Sequence, residues 1–291
     1  MNQQALPDKR LNAYRDDLAD QSLQEIVVAQ RYVEGSTASI AAHFADVYDR
    51  PTDGAGLQTQ FLYGHQLTVF ERKDGWAWAQ SQTDGYVGYL RLETIADIDA
   101  SEAKTPTHMV NAPRTFLYSD TDLKSPRCGY RSIGSKVTVV DRATTRGTDY
   151  AVLETGEAVI EKHLIDIGDW CSDPVSVAET LLHTPYLWGG NTGFGIDCSG
   201  LVSLANLLCG NTVLRDSDMQ AASIGEVIPL DVDQLRRGDL IFWKGHVGMM
   251  ANAKTLLHAN GNTMNVALEP LSDAIERIGY LYDAPTLARR P

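Results

Sequence analysis

The chain has 291 residues, enough for two or three domains, and 43% of them are hydrophobic, which is ample for packed cores. Its formal net charge is −13, from 25 basic and 38 acidic residues, which argues against nucleic acid or an anionic membrane surface as a partner. No stretch has the apolar length of a signal-peptide core or a membrane-spanning segment.

The first 34 residues form a polar lead segment, in which Ser22 to Val33 is consistent with a short helix or a short strand. Residues 35–100 then show short alternating runs divided by Asp, Gly, Pro and Thr turns, which predict a small β-barrel. The runs are Ala38–Ile40, Thr59–Gly64, Gln66–Phe70, Trp76–Ala79 and Tyr86–Leu90. The segments Tyr63-Gly64, Asp74-Gly75-Trp76 and Asp84-Gly85-Tyr86-Val87-Gly88-Tyr89 resemble bacterial SH3 domains.

A weaker echo of the same pattern follows over residues 106–168, at a spacing of roughly 70 residues. Its apolar runs are Thr115–Tyr118, Gly134–Val140, Tyr150–Leu153 and Ala158–Ile160. It lacks the Gly-Trp turn of the first copy. We predict a second SH3-like barrel here, with linkers near residues 100–106 and 168–174.

The segment Thr184 to Gly200 carries the strongest chemical signal of the chain. Glycines and turn formers precede Cys198, and an apolar periodic run follows it, so we expect a loop that delivers Cys198 to the first turn of a helix. A thiol there lies in the positive field of the helix N-terminus, which favours the nucleophilic thiolate. A lone cysteine is more often an inert core residue, so partners must be found.

Two histidines downstream supply those partners. The runs Gly238–Trp243, Gly245–Met250 and Thr255–Ala259 are predicted strands, and the last two are separated by a turn around Asn252. A hairpin centred on Asn252 places His246 opposite His258, on one face of the sheet and roughly 5 Å apart. This geometry suits a general base, His246, and a residue that orients it, His258.

These residues together resemble the NlpC family of papain-like cysteine peptidases, which cut bacterial cell-wall peptides. The motif P-Y-x-W-G-G followed by D-C-S-G-L-V is met by Pro185 to Gly190 and by Asp197 to Val202. Gly238 to Phe242 match the family's G-D-L-x-F strand, and His246 to Gly248 match the H-V-G strand that follows it. His258-Ala259 match a later H-A pair. The resemblance covers about residues 172–285 and implies an α+β papain-like domain, which we predict over residues 172–291. The predicted architecture is therefore multidomain, with two small SH3-like β-barrels before the peptidase domain.

SH3 modules before such a domain resemble the γ-D-glutamyl-L-diamino acid endopeptidases, which cut murein peptides with a free N-terminal L-Ala. The resemblance implies a murein peptide as partner and the catalytic residues Cys198, His246 and His258, with neither a metal nor an organic cofactor. It implies Tyr186 and the Cys198 N–H as oxyanion donors. The substrate-binding residues that it implies are Asp197, Ser199, Asp216, Ser217 and Tyr86. Many relatives carry an acidic residue where this chain has His65.

Cys128, Cys171 and Cys209 show no C-x-x-C spacing and are interpreted as inert thiols. Unpaired cysteines and the missing signal region predict a cytoplasmic protein. The resemblance to the γ-D-glutamyl-L-diamino acid endopeptidases implies a role in the recycling of murein peptides. Three alternatives stay open: a wall-targeted hydrolase whose SH3 modules bind peptidoglycan, a related thiol amidase or acyltransferase, and a non-catalytic wall-binding module.

Overall fold

The computed structural model describes residues 6–98 and 105–291, and the chain divides into two units at Thr105. The predicted linker near residues 100–106 lies largely outside the described residues. In the described part of the unit that ends at Thr105, the regular elements are nine strands and two short 3-10 helices. Its strands are β1 (Ala19–Asp20), β2 (Tyr32–Val33), β3 (Ser36–Ile40), β4 (Phe44–Tyr48), β5 (Leu57–Leu62), β6 (Gln66–Lys73), β7 (Trp76–Ser81), β8 (Val87–Arg91) and β9 (Ile95–Asp97).

Strands β3 to β9 form one antiparallel sheet in the order β5-β4-β8-β7-β6-β3-β9. A short 3-10 helix, Leu92–Thr94, connects the last two strands. All five predicted runs fall on strands, while β4 and β9 were not predicted.

The lead segment is a packed part of the first unit. Ala13 and Leu18 are buried with Phe70 and Trp78 in one apolar cluster. The guanidinium of Arg15 lies 4.4 Å from the centre of the Trp78 ring, a cation–π distance. The lead therefore buries apolar surface of the sheet.

Residues 108–166 repeat the strand succession of the first sheet about 70 residues further along the chain. The strands are β10 (His108–Val110), β11 (Arg114–Tyr118), β12 (Arg127–Ser132), β13 (Lys136–Val137), β14 (Val139–Thr145), β15 (Thr148–Leu153), β16 (Ala158–Ile160) and β17 (Leu164–Asp166). They form sheets in the orders β13-β10-β17 and β12-β11-β16-β15-β14. A 3-10 helix, Glu161–His163, again precedes the last strand. The repetition supports the predicted second barrel, which stays a prediction.

The rest of the second unit combines four helices with a six-stranded antiparallel sheet, ordered β20-β25-β21-β22-β23-β24. The strands of that sheet are β20 (Glu226–Ile228), β21 (Leu240–Trp243), β22 (His246–Asn252), β23 (Thr255–Asn260), β24 (Asn265–Pro270) and β25 (Leu287–Arg290). Two further strands, β18 (Asn191–Thr192) and β19 (Gly195–Ile196), form a separate hairpin. Its helices are α1 (Pro174–Thr180), α2 (Cys198–Leu207), α3 (Ser217–Ser223) and α4 (Leu271–Tyr282). Helix α2 packs on β22 and β23, and α4 packs on β23 and β24.

Helix α4 follows directly from β24 and covers one part of the sheet. Leu271, Ala274 and Ile278 recur at helical spacing and pack with Met250 and Leu256 of the sheet. This packing fixes the end of α4 against the strands that carry the two histidines.

The small hairpin β18–β19 leads into α2 and is held by the strand region of residues 108–166. The Gly193 N–H donates to Ser132 Oγ at 2.9 Å, and both residues are buried. The rings of Tyr130 and Phe194 lie 4.9 Å apart. A Cβ on Gly193 would lie 1.9 Å from the Pro113 carbonyl oxygen, so this close approach needs glycine.

We predict that Gly193→Ala destabilises the second unit by at least about 2 kcal/mol, because backbone must move to admit the methyl group. The matched control is Gly279→Ala in α4, where an added Cβ meets nothing within 4 Å. Urea unfolding followed by circular dichroism measures both variants. Equal stabilities of the two variants would contradict the close contact.

Candidate active site

Helix α2 starts at Cys198, as the sequence predicts. Asp197 is its N-cap and accepts a 2.7 Å hydrogen bond from the Gly200 N–H, which would otherwise lack an intrahelical partner. A Cβ on Gly200 would lie 2.4 Å from the Gly190 carbonyl oxygen. The loop before Cys198 can therefore contact the first turn of α2 this closely only because residue 200 is glycine.

A buried ion pair locks this turn. Arg215 is 1% exposed and donates to both carboxylate oxygens of Asp197, at 3.0 and 2.8 Å. It also donates to Ser199 Oγ at 2.8 Å and to the Gly190 carbonyl at 3.1 Å. One guanidinium therefore holds both chain neighbours of Cys198 and the preceding loop. Sequence analysis singled out its neighbours Asp216 and Ser217 but missed Arg215 itself.

The thiol of Cys198 lies in a buried environment. It is 7% exposed, and burial raises its pKa to about 12, with the Asp197 carboxylate acting in the same direction. The backbone N–H groups of Val247 and Ser199 lower the pKa by less. The expected lowering of the thiol pKa is not found in the resting site, because desolvation outweighs the N–H groups and the Arg215 charge that stabilise the thiolate.

The two histidines meet as predicted, although the predicted register was wrong. His246 Nε2 and His258 Nδ1 are 2.9 Å apart. The hairpin pairs Met249 with Leu257, and a bulge precedes Asn252. The register is thus shifted by two residues from the one centred on Asn252. A shift of two keeps side chains on the same face, so the histidines approach as diagonal neighbours.

Two further residues extend this pair, and sequence analysis missed both. His258 Nε2 lies 3.0 Å from Glu269 Oε2, at the end of β24. Arg277 of α4 donates to Glu269 Oε1 at 2.9 Å and to Oε2 at 2.5 Å. The signal that could have found them is the i, i+8 spacing of Glu269 and Arg277 across a strand-to-helix junction. Because β24 was not predicted, that junction was not visible.

Burial also keeps both histidines neutral. It lowers the pKa of His246 to about 3 and that of His258 to about 4. The Arg277 guanidinium holds the pKa of Glu269 below its ordinary value. At neutral pH the site therefore holds a neutral thiol, whose sulfur lies against the Val247 N–H, a neutral imidazole on the preceding residue His246, and an ionised carboxylate behind His258. A neutral thiol and a neutral imidazole are suited to proton transfer from sulfur to imidazole as the sulfur attacks an electrophile.

The remaining predicted site residues occupy different surroundings. Tyr186 and Ser217 are half-buried, and so is Asp216, which occupies the N-cap position of α3 without a side-chain capping bond. Asp197 and Ser199 are buried and hydrogen-bonded to Arg215. Their predicted substrate contacts, and the oxyanion role of Tyr186, stay predictions.

Tyr86 belongs to the first unit, where it is 2% exposed and lines a cavity of about 210 Å³ with Tyr14, Trp78 and Tyr89 among others. Its predicted contact with substrate stays a prediction. His65 is also buried there, with Nδ1 3.2 Å from Thr83 Oγ1.

Trp188, within the segment that leads to Cys198, is 69% exposed. All four cysteines are free thiols. Among residues 6–98 and 105–291, no helix is long and apolar enough to cross a membrane. In the same ranges, no three His, Cys, Asp or Glu side chains cluster as a metal site would require.

Both units of the chain contain a segment that matches a known protein family. Residues 183–277 match the NlpC/P60 family, and residues 47–95 match the bacterial dipeptidyl-peptidase Sh3 domain. Dipeptidyl-peptidase 6 of Lysinibacillus sphaericus is 28% identical over 79% of this chain and 90% of that protein. The gamma-D-glutamyl-L-lysine dipeptidyl-peptidase of Bacillus cereus is 27% identical over 76% of this chain and 72% of that protein.

The fold is also found in a solved structure. The crystal structure of an NlpC/P60 family protein from Bacillus cereus superimposes with a TM-score of 0.73, covering 88% of this chain and 99% of that one. The sequence identity is 22%, so this likeness concerns the fold. The fold that these matches support is β-rich with few helices and joins an SH3 domain to an NlpC/P60 domain.

We predict that Arg215→Lys destabilises the second unit by about 3 kcal/mol, because lysine cannot reproduce the forked contacts and leaves the buried Asp197 poorly paired. Arg237→Lys is the matched control, since Arg237 also bridges two carboxylates but its side chain is 39% exposed. We expect the control to cost less than about 1 kcal/mol. Urea unfolding measures both, and equal losses would show that the buried pair has no special role.

Proposed function

We propose that this chain, which carries an NlpC/P60 domain and a bacterial SH3 domain, is a cysteine peptidase that hydrolyses the γ-D-glutamyl-L-diamino acid bond of murein peptides. The observation that supports this most directly is the placement of Cys198. It begins a helix whose first turn is rigidly held, beside a strand that presents His246 in contact with His258. A metal is not needed for this chemistry, because sulfur supplies the nucleophile and imidazole moves the proton.

The reaction follows from these groups. The Cys198 sulfur attacks the γ-carbonyl carbon of D-glutamate while its proton passes to His246. The C–N bond then breaks, and protonated His246 gives its proton to the leaving amine of the diamino acid. Water attacks the thioester, His246 accepts a proton from that water, and Cys198 leaves as the sulfur regains a proton. The thioester therefore carries the dipeptide L-Ala-γ-D-Glu.

The substrate assignment is supported by the names of relatives and by charge. The Bacillus cereus relative is named for the γ-D-glutamyl-L-lysine bond and for dipeptide release. We propose the same bond class here, with either lysine or diaminopimelate on the leaving side. We further propose that the Asp216 carboxylate pairs with the free ammonium of L-Ala, as opposite charges attract strongly when partly removed from water.

A requirement for a free amine favours short peptides already released from the wall. We therefore propose a role in murein recycling. We also propose the cytoplasm as its place, because four unpaired thiols are typical of a reducing compartment.

We predict that Cys198→Ser and His246→Ala each lower turnover of L-Ala-γ-D-Glu-meso-diaminopimelate by at least about 1,000-fold. His258→Ala should cause a smaller loss, about 100-fold, because it orients the base and does not itself accept the thiol proton. Mass spectrometry of the products measures turnover, and circular dichroism checks folding. Near-normal activity of Cys198→Ser would end the thiol-peptidase proposal.

We predict that acetylating the substrate amine lowers kcat/KM by about 100-fold, because the acetyl group removes a charge that a carboxylate pairs. Asp216→Asn should lower kcat/KM for the free peptide and reduce the ratio of kcat/KM between the free and the acetylated peptide. The matched control is Asp218→Asn, which changes an exposed carboxylate in the first turn of α3. This variant should keep the wild-type ratio of kcat/KM between the two peptides. Equal cleavage of both peptides, or of intact sacculi, by the wild-type protein would instead support a wall-targeted hydrolase.

A further inference from the structure

The side chains of His246, His258, Glu269 and Arg277 form one unbranched chain of hydrogen bonds. Three neighbouring strands and α4 contribute one residue each, and consecutive contacts measure between 2.5 and 3.0 Å. His258 is fully buried, whereas the Glu269 and Arg277 side chains are 19% and 27% exposed. The chain of hydrogen bonds therefore begins at the partly exposed Arg277 of α4 and ends at His246, the proposed base.

The direction of every proton in this chain is set at its outer end. Arg277 has only donors, so Glu269 must accept from it. An ionised carboxylate has no proton to give, so the contact with His258 must be donated by His258 Nε2–H. A neutral imidazole carries one N–H, which leaves His258 Nδ1 as an acceptor. His246 Nε2 must then donate to it, and His246 Nδ1 is left unprotonated.

We propose that Glu269, held by Arg277, is a positioning residue that fixes the tautomers of both histidines so that His246 Nδ1 can accept the thiol proton. This inference rests on the proposed thiol-peptidase function. It assigns no contact between Glu269 and substrate. Because Arg277 balances the charge of Glu269, the main effect of the carboxylate is on proton direction.

The substitution Glu269→Gln tests this direction. Arg277 donates to both carboxylate oxygens of Glu269, through Nε to Oε1 and through a terminal nitrogen to Oε2. In the variant we expect the amide oxygen to take the Oε1 position and accept from Arg277 Nε–H. The amide NH2 group then takes the Oε2 position, faces His258 Nε2 and donates to it. His258 must then carry its proton on Nδ1 and donate to His246 Nε2. His246 Nδ1 becomes protonated and cannot accept the thiol proton. The size and shape of the side chain are unchanged.

The expected result is a loss in kcat of at least about 100-fold with little change in KM, since a wrong tautomer costs about 10⁴-fold in a comparable triad. The pH profile of kcat should also change, because His246, His258 and Glu269 titrate as one linked set with Arg277 and the Cys198 thiol. The matched control is Glu276→Gln, an exposed carboxylate on α4, which should keep wild-type kcat and pH profile.

A double variant separates proton direction from packing. In Glu269→Gln with Arg277→Met, the amide oxygen is released from Arg277 and can accept from His258 Nε2–H. We expect kcat to recover at least about tenfold over Glu269→Gln alone, by restoring the productive tautomers. A purely structural role predicts that the second substitution makes the loss greater, and that result would overturn the proposal.

Nitrogen NMR of the histidine rings gives a readout that does not depend on turnover. In the wild-type protein we expect protonated Nε2 on both His246 and His258, with Nδ1 unprotonated, and the reverse in Glu269→Gln. Opposite tautomers in the wild-type protein, or unchanged kcat and tautomers in Glu269→Gln, would overturn the inference. A wild-type protein with the expected tautomers but no peptidase activity would contradict the proposed function alone.

Discussion

The site depends on the buried ion pair between Asp197 and Arg215. Asp197 alone would be a helix cap, but with Arg215 it ties the first turn of α2, the Ser199 hydroxyl and the Gly190 carbonyl into one assembly. Such a pair gains little net stability over apolar packing, because its desolvation is costly, but losing one partner is severe. Its contribution is therefore to fix the position of Cys198.

Two other parts of the second unit hold the same loop. From one side, the strand region of residues 108–166 receives the Gly193 N–H at Ser132. From the other, the six-stranded sheet presents His246 and His258, and the N–H of Val247 favours the ionised Cys198 sulfur. The strand region of residues 108–166 therefore helps to position the loop before Cys198. This physical role does not require the region to bind a wall polymer.

Cys198, the approach of the two histidines and about half of the strands among the described residues could be predicted from the sequence, because each lies in a motif or in a clear alternation. It could not give Arg215 a role, since its partner Asp197 is 18 residues away and only the fold joins them. Glu269 and Arg277 were missed because β24 has weak alternation. The register error arose because Asn252 pairs with Thr255, so the turn lies at Ala253-Lys254 and not at Asn252, and because a bulge precedes Asn252. The thiol pKa was misjudged because burial is a tertiary property.

The most direct test of a Cys198 acyl-enzyme is partitioning between water and an added nucleophile. Hydrolysis of L-Ala-γ-D-Glu-diaminopimelate and of the corresponding lysine peptide is followed by mass spectrometry in the presence of hydroxylamine. A common thioester predicts that both substrates give L-Ala-γ-D-Glu hydroxamate and free acid in the same ratio, because the leaving group has gone before partitioning. Formation of free acid alone, or a ratio that depends on the leaving diamino acid, would contradict the thioester mechanism.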